Sequence, residues 1–135
     1  MEAFNYRDGE LFAEGVALSA LAQRFGTPTY VYSRAHIEGQ YRAYADALAG
    51  MPHLVCFAVK ANSNLSVLAT LAHLGCGADT VSEGEIRRAL RAGIPADRVI
   101  HHRLRKDPAT TLGELRNLSL DIARGQLMSH WDDDD

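Results

Sequence analysis

One lysine in this sequence stands where an amine could do covalent chemistry. Of the 14 Lys and Arg residues, only Lys60 and Lys106 are lysines. Lys60 follows LVCFAV, residues 54–59, an apolar run that is typical of a buried strand. A neutral lysine amine attacks carbonyl carbons, whereas an arginine guanidinium stays protonated and cannot. Lys60 is therefore the first candidate for a catalytic or cofactor-binding residue.

The alternation of side chains along residues 54–61 predicts the surroundings of that amine. Two faces are expected, one with Leu54, Cys56, Ala58 and Lys60 and one with Val55, Phe57, Val59 and Ala61. The small side chains on the first face leave room for a ligand, and burial there would lower the pKa of a lysine. In parallel α/β proteins the functional edge is formed by the carboxyl ends of the strands. The alternative is a lysine at a strand end whose amine reaches into solvent.

The elements around Lys60 alternate between helix and strand. Apolar spacing predicts helices that begin near residues 16, 33, 64 and 83, and short strands at 29–32, 54–61, 77–82 and 98–100. Ser82 and Glu85 have the spacing of a capping box at the start of the last helix. Short connections between alternating elements predict an α/β fold with a parallel sheet and right-handed crossovers. The periodicity leaves open whether that sheet is a barrel or doubly wound.

Composition excludes several classes of function. The chain has 135 residues, 47% of them hydrophobic, and a net charge of −3, which fits one globular domain without a basic surface for nucleic acid or membranes. No apolar run approaches the roughly 20 residues of a membrane span, and the N-terminus lacks a signal-peptide pattern. Cys56 and Cys76 do not have redox or disulfide spacing, so we expect reduced thiols in a cytoplasmic protein. His101 and His102 lack a third ligand at metal-binding spacing, so no metal is expected.

Three blocks of sequence, in this order, resemble the pyridoxal-phosphate-dependent decarboxylases of fold type III. They are GTPTYVYS at 26–33, FAVKAN at 57–62 and GADTVSEGEIRRALRAGIPADRVI at 77–100. The resemblance covers residues 4–100 and implies that Lys60 binds pyridoxal 5'-phosphate covalently. It also implies that Asp79 is an acidic residue close to the cofactor lysine, although an aspartate in a turn at a strand end is the alternative.

The resemblance also implies a fold and a reaction. The fold is a (β/α)8 barrel of the TIM type, which needs about 250 residues and eight strands. We therefore expect an incomplete barrel at 28–100, after an N-terminal extension at 1–27. The blocks lean toward the enzymes that decarboxylate meso-2,6-diaminopimelate to L-lysine, which act on a small amino acid as homodimers. The alternatives are a decarboxylase of ornithine or arginine, and a non-catalytic remnant of the family.

The tail at 101–135 departs from the family pattern. There the family has a Gly-x-Gly-Lys-Thr segment, whereas this chain has HHRLRKD at 101–107. The codons for these residues, read one base further along, permit Gly-x-Gly-Lys-Thr at positions 103–107. We therefore interpret the tail as divergent and put forward a frameshift near codon 100 as its origin. The alternative is a tail that evolved for a role of its own.

Overall fold

The computed structural model describes residues 2–99, and the N-terminal part of this range forms a small antiparallel sheet. Its three strands, in spatial order, are β1 (Phe4–Arg7), β2 (Glu10–Ala13) and β3 (Val16–Ala17). Asp8 and Gly9 connect β1 to β2, and both have positive φ, at 50° and 82°. That conformation suits a two-residue hairpin turn, for which Asp-Gly is a preferred pair. No strands were predicted for this N-terminal extension, although the Asp-Gly pair is a recognised hairpin signal.

Two helices follow this three-stranded antiparallel sheet, which we name the meander. Helix α1 covers Leu18–Phe25 and ends at Gly26, whose φ of 80° is readily available to glycine. Helix α2 covers Arg34–Ala47, and the Ser33 hydroxyl caps it by accepting a hydrogen bond of 3.0 Å from the His36 amide. Both helices confirm the prediction from apolar spacing.

The strand predicted at 29–32 does not form in the described part of the chain. Residues 29–32 make no ladder with any described strand, and Tyr30 is 89% exposed. β-branched and aromatic residues favour a strand only where a neighbouring strand supplies hydrogen bonds and packing. Residues 2–99 provide no such neighbour for this segment, and that prediction is wrong for the described fold.

The second half of the described range is a parallel β-α-β-α arrangement. Its elements are β4 (Cys56–Ala58), α3 (Leu65–His73), β5 (Gly77–Asp79) and α4 (Glu83–Arg91). Strands β4 and β5 are parallel, with the pairs Cys56 and Gly77, Phe57 and Ala78, and Ala58 and Asp79. Val99 adds a single parallel bridge to Ala78, on the strand predicted for 98–100. The predicted parallel sheet is confirmed.

Both strands of this sheet are shorter than predicted, and their helices are capped as expected. A single 3-10 turn, Val59–Ala61, replaces the end of the strand predicted at 54–61. At the start of α4, the Ser82 hydroxyl accepts from the Glu85 amide at 3.3 Å. The Glu85 carboxylate accepts from the Val81 amide at 2.7 Å, one residue before the position usual for a capping box.

Two clusters of buried side chains hold the helices on the sheet. The first contains Val59, Leu68, Ala78, Ala89 and Ile94, and the second contains Val67, Leu71 and Cys76. Phe57 of β4 packs against both clusters. One face of the parallel sheet is therefore covered by helices, as the bulky face of the predicted strand required. Between residues 2 and 99, no helix combines the length and the apolar character needed to cross a membrane.

Candidate active site

Lys60 lies in the 3-10 turn that follows β4, at the carboxyl end of the strand. Its side chain is exposed, so the expectation of a buried lysine is wrong for the described residues. The cause is local, because the strand ends at Ala58 and the turn directs the next residue inward. Val59 is 0% exposed and belongs to the core, whereas Lys60 is carried outward. The structure thus agrees with the alternative in which the amine reaches solvent.

Asp79 lies at the same edge of the sheet as Lys60. It is the last residue of β5, it is exposed, and it stands opposite Ala58 in the parallel register. Since paired residues of neighbouring strands point to the same face, the Asp79 carboxylate shares a face with Ala58. The fold therefore brings Lys60 and Asp79, which are 19 positions apart in the sequence, to the carboxyl end of the same parallel sheet.

The face of the sheet below this edge is lined by small side chains. Cys56 and Ala58 of β4 lie beside Gly77 and Asp79 of β5. A β-carbon at Gly77 would stand 2.6 Å from the Cys56 sulfur and 3.0 Å from the Arg98 carbonyl oxygen. Glycine is therefore required at position 77, since the Cys56 thiol occupies the space that a side chain at this position would need. This confirms the small face that the alternation predicted.

The loop after Lys60 is fixed by hydrogen bonds from side chains to backbone. The Asn62 side-chain oxygen accepts from the Asn64 amide at 3.0 Å. The Asn64 side-chain oxygen accepts from the Ser66 amide at 2.8 Å and so caps α3. Arg88 of α4 donates to the Ser63 carbonyl at 3.2 Å. None of these three side chains was predicted to form such hydrogen bonds, although an asparagine just before an apolar helix is a recognised cap signal.

The cysteine nearest to the core is not a nucleophile. The Cys76 thiol is 1% exposed and donates to the Val55 carbonyl at 3.2 Å. Burial raises the pKa of Cys76 to about 11, so the thiol stays protonated near neutral pH. Within residues 2–99, no three His, Cys, Asp or Glu side chains stand together as metal ligands.

Comparison with known protein families identifies the family of this chain. The family model described as the pyridoxal binding domain of pyridoxal-dependent decarboxylases matches residues 34–118, which include both Lys60 and Asp79. The chain belongs to the pyridoxal-dependent decarboxylases. The match runs past residue 100 into the tail, which lies outside the described residues, and the frameshift there stays a prediction.

Individual relatives of this decarboxylase chain are similar over the described range. Diaminopimelate decarboxylase of Pseudomonas fluorescens is 75% identical over 100 residues, covering 74% of this chain and 24% of the relative. The crystal structure of AQ1208 from Aquifex aeolicus matches with a TM-score of 0.70 at 48% identity, over 78% of this chain and 26% of that one. Diaminopimelate decarboxylase from M. jannaschii in complex with L-lysine matches with a TM-score of 0.68 at 38% identity, over 73% and 24%.

These comparisons fix the fold of this decarboxylase chain. Its parallel part is the beginning of a (β/α)8 barrel, preceded by the N-terminal meander. The chain spans 24% of the length of the Pseudomonas fluorescens relative. The question between a barrel and a doubly wound sheet, which periodicity left open, is thereby answered.

The residues at the strand edge fit the cofactor of the pyridoxal-dependent decarboxylases. Lys60 supplies an accessible primary amine, which is the group that an aldehyde cofactor needs. Cys56, Ala58 and Gly77, which have small side chains or none, lie at the same end of the sheet. Next to Asp79, the Thr80 hydroxyl is buried with no hydrogen-bond partner in the described part of the chain. A buried hydroxyl without a partner costs about 1–3 kcal/mol, so a polar group bound at this edge would relieve it.

Proposed function

We propose that this chain provides the cofactor lysine, Lys60, for decarboxylation of meso-2,6-diaminopimelate by a pyridoxal-phosphate-dependent enzyme. The reaction removes one carboxyl group as carbon dioxide, and a proton takes its place to give L-lysine. When bound, the cofactor supplies an electron sink for the pair left behind by the departing carbon dioxide. The observation that carries the proposal is the placement of Lys60 at the carboxyl end of β4, in a chain 75% identical over 100 residues to a diaminopimelate decarboxylase.

Each site residue has a separate role in this proposal. Lys60 would hold the cofactor through its nitrogen, and its amine is the group that would move a proton to or from the substrate. Asp79 ends the neighbouring strand opposite Ala58, and in this proposal its carboxylate would favour positive charge at this edge of the sheet. We expect the small side chains of Cys56 and Ala58 to allow a planar ring to approach this end of the sheet. A homodimeric assembly, implied by the family resemblance, and a cytoplasmic location, expected from the cysteine spacing, stay predictions.

The cofactor role can be tested by chemical trapping, because Lys60 and Lys106 are the only lysines. The 135-residue chain is incubated with pyridoxal phosphate, and borohydride then reduces the carbon–nitrogen double bond to a stable secondary amine. Peptide mapping by mass spectrometry measures the label on each amine. We expect Lys60 to be labelled faster than Lys106. Equal labelling of the two lysines would contradict the proposal.

Matched variants test whether labelling requires the primary amine of Lys60 or only its positive charge. Lys60→Arg keeps the positive charge, and we expect it to abolish label at position 60, because a guanidinium does not condense with the aldehyde. Lys106→Arg is the control and should leave labelling of Lys60 unchanged.

A chimera tests the reaction itself. Residues 1–99 would replace the corresponding segment of the Pseudomonas fluorescens relative. We expect release of carbon dioxide from carboxyl-labelled meso-diaminopimelate, and loss of that release in the Lys60→Ala chimera. An active Lys60→Ala chimera would rule out the role proposed for Lys60.

A further inference from the structure

We propose that Arg88 is a positioning residue for Lys60, an inference that rests on the cofactor role proposed for that lysine. Residues 59–64, which we name the lysine loop, connect β4 to α3. Arg88 lies on α4, 25 positions beyond Ser63, and its Nη1 donates to the Ser63 carbonyl at 3.2 Å. The guanidinium thus ties the loop to a helix from the next β-α unit.

The two ends of the lysine loop are held against α4 in different ways. At the first end, Val59 is 0% exposed and shares a core cluster with Ala89 of α4, which is also 0% exposed. At the other end, the hydrogen bond from Arg88 holds Ser63. Lys60 lies between these two attachments, so both set where its backbone stands relative to α4.

The local hydrogen bonds of the lysine loop do not attach it to α4. The Asn62 and Asn64 side chains bond to amides within residues 64–67, so they shape the loop and the start of α3. Among the described residues 2–99, neither side chain makes a hydrogen bond to α4 or β5. Without Arg88, the Ser63 carbonyl would turn to water, since this part of the loop is solvent-accessible. The second end of the loop would then be released while its local shape persisted.

Release of the loop should slow the reaction of Lys60 more than it changes the fold. A nucleophile reacts fast when its attacking atom is held near the attacked atom, and small displacements reduce that advantage. An arginine suits this task because its rigid fork reaches a carbonyl with little loss of side-chain freedom for each hydrogen bond. A lysine at 88 would keep the charge and one donor but with a more flexible chain.

The test measures borohydride-trapped label on Lys60 and Lys106 of the full chain over time, with pyridoxal phosphate as the probe. We expect Arg88→Gln to slow labelling of Lys60 by about fivefold, within the loss expected when one charged hydrogen bond is removed, and to leave Lys106 unchanged. Arg88→Lys should restore labelling to about half of the wild-type rate. In Arg88→Gln, the absorbance of the bound cofactor at about 420 nm should also appear more slowly than in the wild type.

The control is Arg87→Gln, on the same helix. Arg87 pairs with Glu83 at 2.6 Å and is 77% exposed, and its loss should not change labelling of Lys60. Equal slowing by Arg87→Gln and Arg88→Gln would assign the effect to helix charge and overturn the proposal. Wild-type labelling rates in Arg88→Gln would overturn it as well.

Two further outcomes are distinguishable. If the wild-type chain shows no preference for Lys60 over Lys106, the cofactor role itself fails, and the role of Arg88 fails with it. If Arg88→Gln loses its helical circular dichroism, Arg88→Lys decides the matter. A folded Arg88→Lys that labels Lys60 at the wild-type rate overturns the positioning role, and a rate near half supports it.

Discussion

Asp79 ends β5 directly opposite Ala58, two residues before Lys60, and this register puts a carboxylate and an amine at one edge of the parallel sheet. A negative charge beside an amine favours the protonated amine, which does not attack an aldehyde. The pH dependence of labelling at Lys60 should therefore report on Asp79.

Asp79→Asn should move the midpoint of Lys60 labelling against pH to a lower pH. The expected displacement is about 0.5 pH unit, because solvent screens exposed charges. Trapping with pyridoxal phosphate and borohydride at a series of pH values measures it. Asp97→Asn, a charge removal on the 3-10 turn Ala96–Arg98, is the control and should leave the midpoint in place. A midpoint that Asp79→Asn leaves unchanged, or moves upward, would contradict the proximity of these two groups.

Gly77→Ala should destabilise the chain. The new β-carbon would lie 2.6 Å from the Cys56 sulfur and 3.0 Å from the Arg98 backbone oxygen, and the backbone atom cannot move away cheaply. We expect a loss of about 1–3 kcal/mol in the free energy of unfolding, measured by urea titration with circular dichroism. Adding Cys56→Ala should recover part of that loss.

The matched control for this substitution is Gly39→Ala in the interior of α2. A β-carbon at Gly39 meets nothing within 4 Å, so alanine should stabilise the helix by about 0.5–1 kcal/mol. If both alanine variants changed stability in the same direction, the packing of Cys56 over Gly77 would not be the cause.

Glu14 should make stability depend on pH in the acid range. Its carboxylate accepts from the Ala35 amide at 2.9 Å and from the Ser33 hydroxyl at 2.7 Å, and so attaches the meander to the start of α2. These hydrogen bonds, the Ala35 amide first, hold the pKa of Glu14 below its ordinary value. A carboxyl with a lowered pKa stabilises the fold above its unfolded pKa, and that stabilisation is lost as the pH falls through the folded pKa.

Glu14→Gln is therefore expected to be less stable than the wild type at neutral pH, and the difference should shrink from about pH 5 to about pH 3. Urea midpoints at each pH measure the difference. Glu2→Gln, at an exposed residue near the start of the meander, should show no such trend. A difference for Glu14→Gln that stays constant with pH would show that its charge is not what attaches the meander.

The two cysteines should differ in reactivity. Partial burial of its sulfur and the charge of Asp79 raise the pKa of Cys56, but the residue is exposed. Cys76 is buried with a pKa of about 11, so about one thiol in a thousand is ionised at pH 8. We expect iodoacetamide at pH 8 to alkylate Cys56 first, as shown by peptide mass spectrometry. In urea the two rates should converge, whereas equal rates in the native chain would contradict the buried position of Cys76.

The sequence determined the features that depend on neighbours along the chain. Ser82 caps α4, as its spacing from Glu85 predicted, and Ser33 caps α2 and Gly26 ends α1 through the same kind of local chemistry. A cap needs only a side-chain oxygen and the amides two or three residues on, so local order is enough to specify it. The small face of β4 was also predictable, since alternation in a strand is a local property.

The tertiary structure alone decided what depends on contacts between distant residues. Residues 29–32 have a strand composition but find no neighbouring strand in the described range, and β4 ends at Ala58 because Val59 turns into a core shared with Ala89. That turn is what places Lys60 outside the core. The hydrogen bond from Arg88 to Ser63 joins residues 25 positions apart, and no periodicity specifies such a pair. Burial and strand pairing depend on contacts with residues far away in the sequence, and a local pattern carries no information about those residues. The position of the Lys60 amine is therefore decided only by the folded chain.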